Sequence, residues 1–565
     1  MSAVLTENLP LLAGAPNGIK KLRELILELA VRGKLVPQDP SDEPVSELLK
    51  RITEEKARLV AEGKIKRQKS FPEVDEEEKP FGLPDGWVWR RLGELSALIT
   101  SGSRDWAQHY SDDGAIFVRM GNLSRRSYEL RLDNIQRVSP PEDGEGSRTK
   151  LVAGDLLLSI TGEVGLLGLI PSGFGEAYIN QHVCLIRFLE EVRGRYLPEA
   201  LRSPWAYEQY EAPQRGIKNS FRLGDVSQIL VPLPPLQEQD RIVAKVDELM
   251  ALCDRLEARQ TDADSAHAQL VEALLNSLTQ TSDAEDFAQS WQRLAEHFHT
   301  LFISESSIDD LKQTLLQLAV MGKLVPQDPS DEPASELLKR IAEEKARLIS
   351  EEGLRTTARD DVPEAEHYFM LHTGWASCRL GNLARFIDYR GRTPTKTSSG
   401  VPLITAKNVR PGFISRDPQE FIADTDYLSW MTRGFPRVGD ILFTTEAPMG
   451  NVAIIDIAER FALAQRVICF QLHELETGPF LKLTLMSSGF KAQLSDAATG
   501  MTATGIKSSR LKEIPVPVPP LAEQHRIVAK VDELMALCDQ LKARLNQARQ
   551  VHEHLASALV EQALA

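Results

Sequence analysis

Cysteines are few, catalytic signatures are missing and no long apolar run is present, and each shortage excludes something. Five cysteines in 565 residues, Cys184, Cys253, Cys378, Cys469 and Cys538, are scattered with no CxxC pair. That spacing excludes a disulfide framework or a zinc ribbon and fits small buried hydrophobes in a reducing compartment. No uncharged apolar run reaches the roughly 18 residues of a membrane span. The first thirty residues also lack the basic start and apolar core of a signal peptide. A cytoplasmic protein with no membrane partner is expected. No GxxxxGK[ST] phosphate loop occurs, nor an Asn-Pro-Pro or Asp-Pro-Pro before an aromatic, nor a glycine-rich strand-to-helix turn for a nucleotide cofactor. The stretch PEVDEEEK at 72–79 has nuclease-like carboxylates but no strand to fix them. The pairs His297/His299 and His552/His554 lack companions at ligand spacing and read as exposed helix histidines. No catalytic residue, bound cofactor or metal site is therefore expected.

What the chain does have is a repeat. RIVAKVDELMALCD occupies Arg241–Asp254 and returns unchanged at Arg526–Asp539, an offset of 285 positions. GKLVPQDPSDEP occupies Gly33–Pro44 and again Gly322–Pro333, an offset of 289. Near-constant offset means a tandem duplication, each half a front arm, a variable middle and a back arm. The arms are copied and the middles are not.

In the first front arm, Leu22, Leu25, Ile26 and Leu29 recur at helical spacing and Gly33 ends the helix. Ser41-Asp42 before Pro44 starts a second helix over 45–61. Residues 64–80 form a charge-blocked run, read as a solvated linker. In the first middle, AIFVRM, LLLSI, GLLGLI and HVCLIRF alternate with Gly, Ser and Asp, which is strand-and-turn patterning, and helices are expected near 196–210. After the double proline at 234–235, Ile242, Val246, Leu249, Cys253 and Leu256 step 4-3-4-3, a coiled-coil seam whose register blurs over 262–268 and resumes at Leu270 and Leu274. A polar joint spans about 280–305, helices follow at 307–321 and 334–350, and Ile527, Val531, Leu534, Cys538, Leu541 and Leu545 repeat the seam. The expected divisions are 1–80 (helical arm and linker), 81–235 (first middle domain), 236–280 (spacer helix), 281–370 (joint and second arm), 371–520 (second middle domain) and 521–565 (spacer helix). The fold expected is α+β: two α/β middle domains held apart by long antiparallel coiled-coil helices, with pseudo-two-fold symmetry.

The net charge of −15 is unevenly spread. The two middles hold 34 Lys+Arg against 32 Asp+Glu, and the rest of the chain 32 against 49. Acidic arms repel DNA or face a protein, while a basic face on each middle remains open.

Both middles begin with Gly-Trp (Gly86-Trp87, Gly374-Trp375), followed by RLGEL at Arg91–Leu95 or RLGNL at Arg379–Leu383. GDLLLS at Gly154–Ser159 matches GDILFT at Gly439–Thr444, and Asn180-Gln181 stands against Ala464-Gln465. Both end with GIK (Gly216–Lys218, Gly505–Lys507), then PLPPLQEQ or PVPPLAEQ. This pattern resembles the specificity subunit of Type I restriction–modification enzymes, in the branch with an extended N-terminal helical arm. Ala464 departs from the asparagine of the first half, so no shared role follows for Asn180.

The resemblance implies two target-recognition domains, each reading half of a bipartite site in double-stranded DNA. It implies spacers that seat two modification (methyltransferase) subunits, joined by restriction/translocase subunits. S-adenosylmethionine, ATP and Mg2+ are then used by those partners, and this chain binds none. Sequence reading calls for Arg, Lys, Asn and Gln on loops, backed by phosphate contacts. The first middle offers Ser101, Ser103, Arg104, Arg119, Asn122, Arg125, Arg126 and Arg131; the second offers Arg390, Arg392, Thr393, Lys396, Lys407, Asn408 and Arg410. Lys218 and Lys507, in matched glycine turns, are expected to hold phosphates. Two readers on one rigid bar place half-site centres about one turn, roughly 10 bp, apart. Two other readings stay open: a coiled-coil adaptor whose middles bind protein, and an enzyme with an unrecognised active site.

Overall fold

The computed structural model describes residues 9–67, 70–103, 105–140, 145–211, 221–281, 284–352, 362–363, 371–389, 393–498 and 505–564. The chain forms two compact units, residues 1–262 with 548–565, and residues 263–547.

In the first unit the front helix Gly18–Val31 buries Leu22, Leu25, Ile26 and Leu29. It ends at Gly33, whose φ of +66° favours glycine; a Cβ there would also lie 2.4 Å from the Pro84 ring. The second helix, Val45–Ala61, buries Val45, Leu48 and Ile52. The back helix runs unbroken from Leu236 to Thr279, 44 residues or about 66 Å. Arg23 bonds Asp254 (2.6 Å) and Glu257 (2.8 Å), while Arg241 grips Asp42 at 2.9 and 2.6 Å, so front and back helices run in opposite directions. The tail of the last helix, Leu521–Leu564, completes this core. Ala556 is buried with Ile242, Val246, Leu249 and Cys253, and Leu559 and Val560 pack alongside. Lys21 donates to Ser557 (2.9 Å) and Lys34 to the Leu564 carbonyl (2.7 Å), which sets the tail antiparallel to the back helix.

The second unit repeats the plan with helices Glu305–Val320 and Ala334–Glu352 and the first part of the last helix. Lys542 pairs with Asp309 at 3.0 Å, Lys312 with Asp539, and Arg526 with Asp331 at 2.7 Å. Lys323 donates to the Thr279 carbonyl at 3.2 Å, and both partners lie at the duplication offsets from Lys34 and Leu564. The duplication is thus kept down to single hydrogen bonds.

Each middle domain meets its arms at a matched junction. The Trp87 indole donates to Glu238 at 2.9 Å and Gln38 donates to the same carboxylate at 3.1 Å. Trp375 and Gln327 do the same to Glu523 at 3.0 and 3.2 Å. Trp87 meets Tyr196 edge-on, and Trp375 meets Phe480 in the same way. Gln239 and Gln524 fold back onto the carbonyls of Pro234 and Pro519. The Gly-Trp opening and Pro-to-Glu-Gln ending are therefore two sides of one structural contact.

Inside the junction, strand Val88–Arg91 pairs antiparallel with Leu230–Leu233, and Ala376–Arg379 with Pro515–Val518. Both domains then hold a four-stranded antiparallel sheet of the same order. In the first, Ser96–Ser101, Val183–Phe188, Leu156–Ser159 and Leu167–Leu169 lie side by side. In the second they are Ala384–Asp388, Val467–Leu472, Ile441–Thr444 and Val452–Ile454. A second sheet contains a parallel pair in each: Ala115–Val118 with Ala177–Ile179, and Val401–Ile404 with Ala462–Leu463. The GDLLLS and GDILFT runs are fully buried central strands, which is why they read as continuous apolar stretches.

Three expectations need correction. The joint at 280–305 contains helices Ala284–Glu296 and Phe298–Leu301, because Phe287, Trp291 and Leu294 line one face and pack into the second unit's core. The run 64–80 is largely solvent-exposed where it is described, but it is anchored and not free: Glu78 holds the buried Arg91 at 2.8 Å, and Phe71 lies against Gly93. Past residue 268 the seam consists of Val271, Leu275 and Leu278, all buried, whereas Leu270 is 53% exposed. The five cysteines are buried and the four paired histidines are exposed, as expected.

Candidate nucleic-acid interface

In each middle domain the chain leaves the second sheet through a loop fastened by one asparagine. Asn122 accepts from the Arg119 N–H (2.9 Å) and donates to the carbonyls of Arg131 (2.8 Å) and Asn134 (3.3 Å). Asn408 accepts from the Thr405 N–H (3.0 Å) and donates to Ser415 (3.1 Å) and Pro418 (3.0 Å). Both side chains are buried, so their amides are spent on the loop itself. Expected as readers, these two asparagines are corrected to clamps. The loops they hold differ: Ser-Arg-Arg-Ser-Tyr-Glu-Leu at 124–130 against Arg-Pro-Gly-Phe at 410–413.

The next loop is also duplicated. The Ser159 hydroxyl donates to the Glu163 carbonyl and accepts from the Leu166 N–H; Thr444 makes the matching bonds with Pro448 and Asn451. Just beyond, Ile160 N–H binds the His182 carbonyl and Thr445 N–H binds that of Arg466. A third segment closes this rim: Phe221 N–H donates to Ile160, and Ile506 N–H to Thr445. Arg222 is therefore the counterpart of Lys507, each exposed at the start of a short helix. This corrects the expected pairing of Lys507 with Lys218, which a fortuitous repeat of GIK suggested. Lys218 lies outside the described residues, as do Arg104, Arg390 and Arg392.

The remaining candidates separate into free and engaged groups. Arg126, Arg131, Lys407, Arg410 and Lys507 are exposed, and among the described residues their side-chain charges have no partner. Arg125 lies over the Tyr207 ring (4.6 Å) and 3.9 Å from Glu163, a positioned but exposed cation. Arg119 is half-buried at the mouth of the first clamped loop. Lys396 was expected to be available, but it is paired with Glu420 at 2.8 Å. Thr393 lines an open cavity of about 360 Å³ with Thr395, Asp426, Ser429 and Trp430. Ser101 ends a sheet strand opposite Cys184, and Ser103 follows it half-buried.

Sequence reasoning missed the brace behind the first loop. Tyr128 donates to Glu199 (2.8 Å), accepts from the Arg195 Nε (2.7 Å), and Arg195 in turn grips Asp247 of the back helix at 2.8 Å. Burial, with Glu199 beside it, pushes the Tyr128 hydroxyl up to about 12, so it stays protonated and donating. Only the i,i+4 spacing of Arg195 and Glu199 hinted at it. Among the described residues no three His, Cys, Asp or Glu side chains are grouped to hold a metal ion, and no helix is long and apolar enough to cross a membrane.

The Type I restriction modification DNA specificity domain matches twice, over residues 84–263 and 373–549. The chain is 39% identical to the Type I restriction enzyme EcoAI specificity subunit of Escherichia coli, over 97% of this chain and 94% of that one. It is 36% identical to the EcoEI specificity subunit of Escherichia coli over the same shares. A solved structure from a study of complex assembly in the type I R-M system aligns over 86% of this chain and 99% of that one, at 19% identity and a TM-score of 0.48. The double domain match, the two near-full-length relatives and the duplicated clamped loops agree: this chain belongs to the family of Type I restriction–modification specificity subunits.

Proposed function

We propose that each middle domain reads one half of a split DNA site, while the duplicated arms seat two modification subunits and, through them, restriction subunits. The observation that carries this is a shared frame with unshared tips. Two loops fastened by the same asparagine geometry present different sets of free cations, Arg126 and Arg131 in one domain, Lys407 and Arg410 in the other. A frame kept constant while its tips diverge suits two half-sites of different sequence. The acidic arms suit protein partners, since all of the chain's excess negative charge lies outside the middles.

In this reading the complex works in the cytoplasm. S-adenosylmethionine serves the modification subunits, which methylate adenine in each half-site, and ATP with Mg2+ serves cleavage of unmethylated DNA. The chain itself positions DNA and partners. The test is a chimera in which residues 81–235 are replaced by the matching segment of a relative. Methylation is then mapped by long-read sequencing in cells that also express the modification subunit. One half of the motif should change and the other should stay. A chimera that shifts both halves overturns the assignment of one half-site per domain, and a wild-type complex that produces no methylated motif favours the adaptor.

A further inference from the structure

Phe413 is 59% exposed on a hairpin that gives it no way to retreat. Strands Val409–Arg410 and Phe413–Ile414 pair antiparallel, with Arg410 directly opposite Phe413. Val409 and Ile414 point inward and are buried, which turns Arg410 and Phe413 to solvent. The hairpin is fastened at three places. The Asn408 clamp holds its base, Asn451 donates to the Val409 carbonyl at 2.9 Å, and the Gly412 N–H donates to the Val452 carbonyl at 2.8 Å. Gly412 takes a φ of +91°, a left-handed conformation that keeps the turn tight.

A large apolar ring fixed on a hydrogen-bonded hairpin is poised for contact, and its neighbours indicate with what. Arg410 stands directly opposite it with an unpaired charge, and Lys407, at the base of the same hairpin, is exposed and likewise unpaired among the described residues. Such a surface attracts a polyanion. The apolar group that a duplex groove displays is the thymine 5-methyl, which phenylalanine contacts without hydrogen bonding. We infer that Phe413 contacts a thymine methyl in the half-site read by the second domain, with Arg410 on a neighbouring base or phosphate. Asn408 acts through the hairpin as a positioning residue. This rests on the reading of the middle domains as DNA readers.

The test uses the full chain assembled with its modification subunits, wild type and Phe413→Ala, with Asn408→Ala as a second variant. Methylated motifs are mapped, and binding is measured to duplexes in which each thymine of the second half-site is replaced in turn by deoxyuridine, which lacks the methyl. Wild type should lose about fourfold at one such position, the worth of one buried methyl. Phe413→Ala should be insensitive at that position and relax the motif there alone. Asn408→Ala should relax several positions of the second half-site while the first stays strict. The inference is overturned if the second half-site has no thymine, or if Phe413→Ala keeps both its motif and its deoxyuridine sensitivity. Equal weakening on every duplex also overturns it. A wild-type complex that methylates no split motif would instead show that the DNA-reading assignment itself had failed.

Discussion

At each junction one carboxylate, Glu238 or Glu523, is 1% exposed and accepts from a tryptophan indole. Glu238→Ala leaves the Trp87 N–H buried without an acceptor, so a stability loss of about 1–3 kcal/mol is expected in urea denaturation. Glu238→Gln keeps one acceptor but sets an amide N–H against the other donor, so it should recover only part of the loss, and Glu523→Ala should cost a similar amount in its own unit. His473 offers a pH-dependent case. Burial first, then Lys345 and Arg437, hold its imidazole down to about 4, while Glu344 opposes them. The folded protein keeps it neutral where the unfolded chain protonates near 6.5. Its contribution is thus complete above about pH 6.5 and declines as pH falls toward 4, by at most about 3 kcal/mol. His473→Phe should therefore lose less stability than wild type between pH 6.5 and 4. Unfolding free energies measured at several pH values check this, and parallel curves would refute it.

The helices test how far periodicity can be trusted. Leu270 continues the seam on paper, yet it is exposed; Val271, Leu275 and Leu278 are the residues buried against Leu311, Leu315 and Cys538, with Leu274 packed partly alongside them. Val271→Asp should cost about 3 kcal/mol or more, and Leu270→Asp less than 1, in thermal unfolding of the full chain. The extents of the front-arm helices were legible because glycine, proline and apolar spacing all agreed, as at Val45–Ala61. The seam past residue 268 was not, because its partners are distant in sequence: Cys538 and Ile308 decide which face is inside. The same reason hid the asparagine clamps. Asn122 and Asn408 look like polar loop residues, and only the carbonyls converging on them reveal their role. Phe413 lay in plain view, but exposure of an aromatic is a property of the fold and not of the string.

Across the whole molecule, the unit that contains the first middle domain is discontinuous: residues 1–262 are completed by 548–565. Deleting 548–565 should raise amide exchange in the front helix Gly18–Val31 and in 236–262, while 521–547, adjacent in sequence, keeps its protection. Hydrogen exchange read by mass spectrometry distinguishes this from a general loss of fold, in which both units would exchange together. The duplication was readable as two matched phrases, but this sharing of helix ends was not, since nothing in a repeat says which copy its end completes.

That sharing has a consequence in time. Ala556 and its neighbours emerge from the ribosome more than 300 residues after the helix face they will cover, the one bearing Ile242 and Val246. At about 5–20 residues per second, that face stays open for roughly 15–60 s. The unit begun first is the last to close, and through that interval its apolar stripe is the part of the nascent chain most in need of a chaperone.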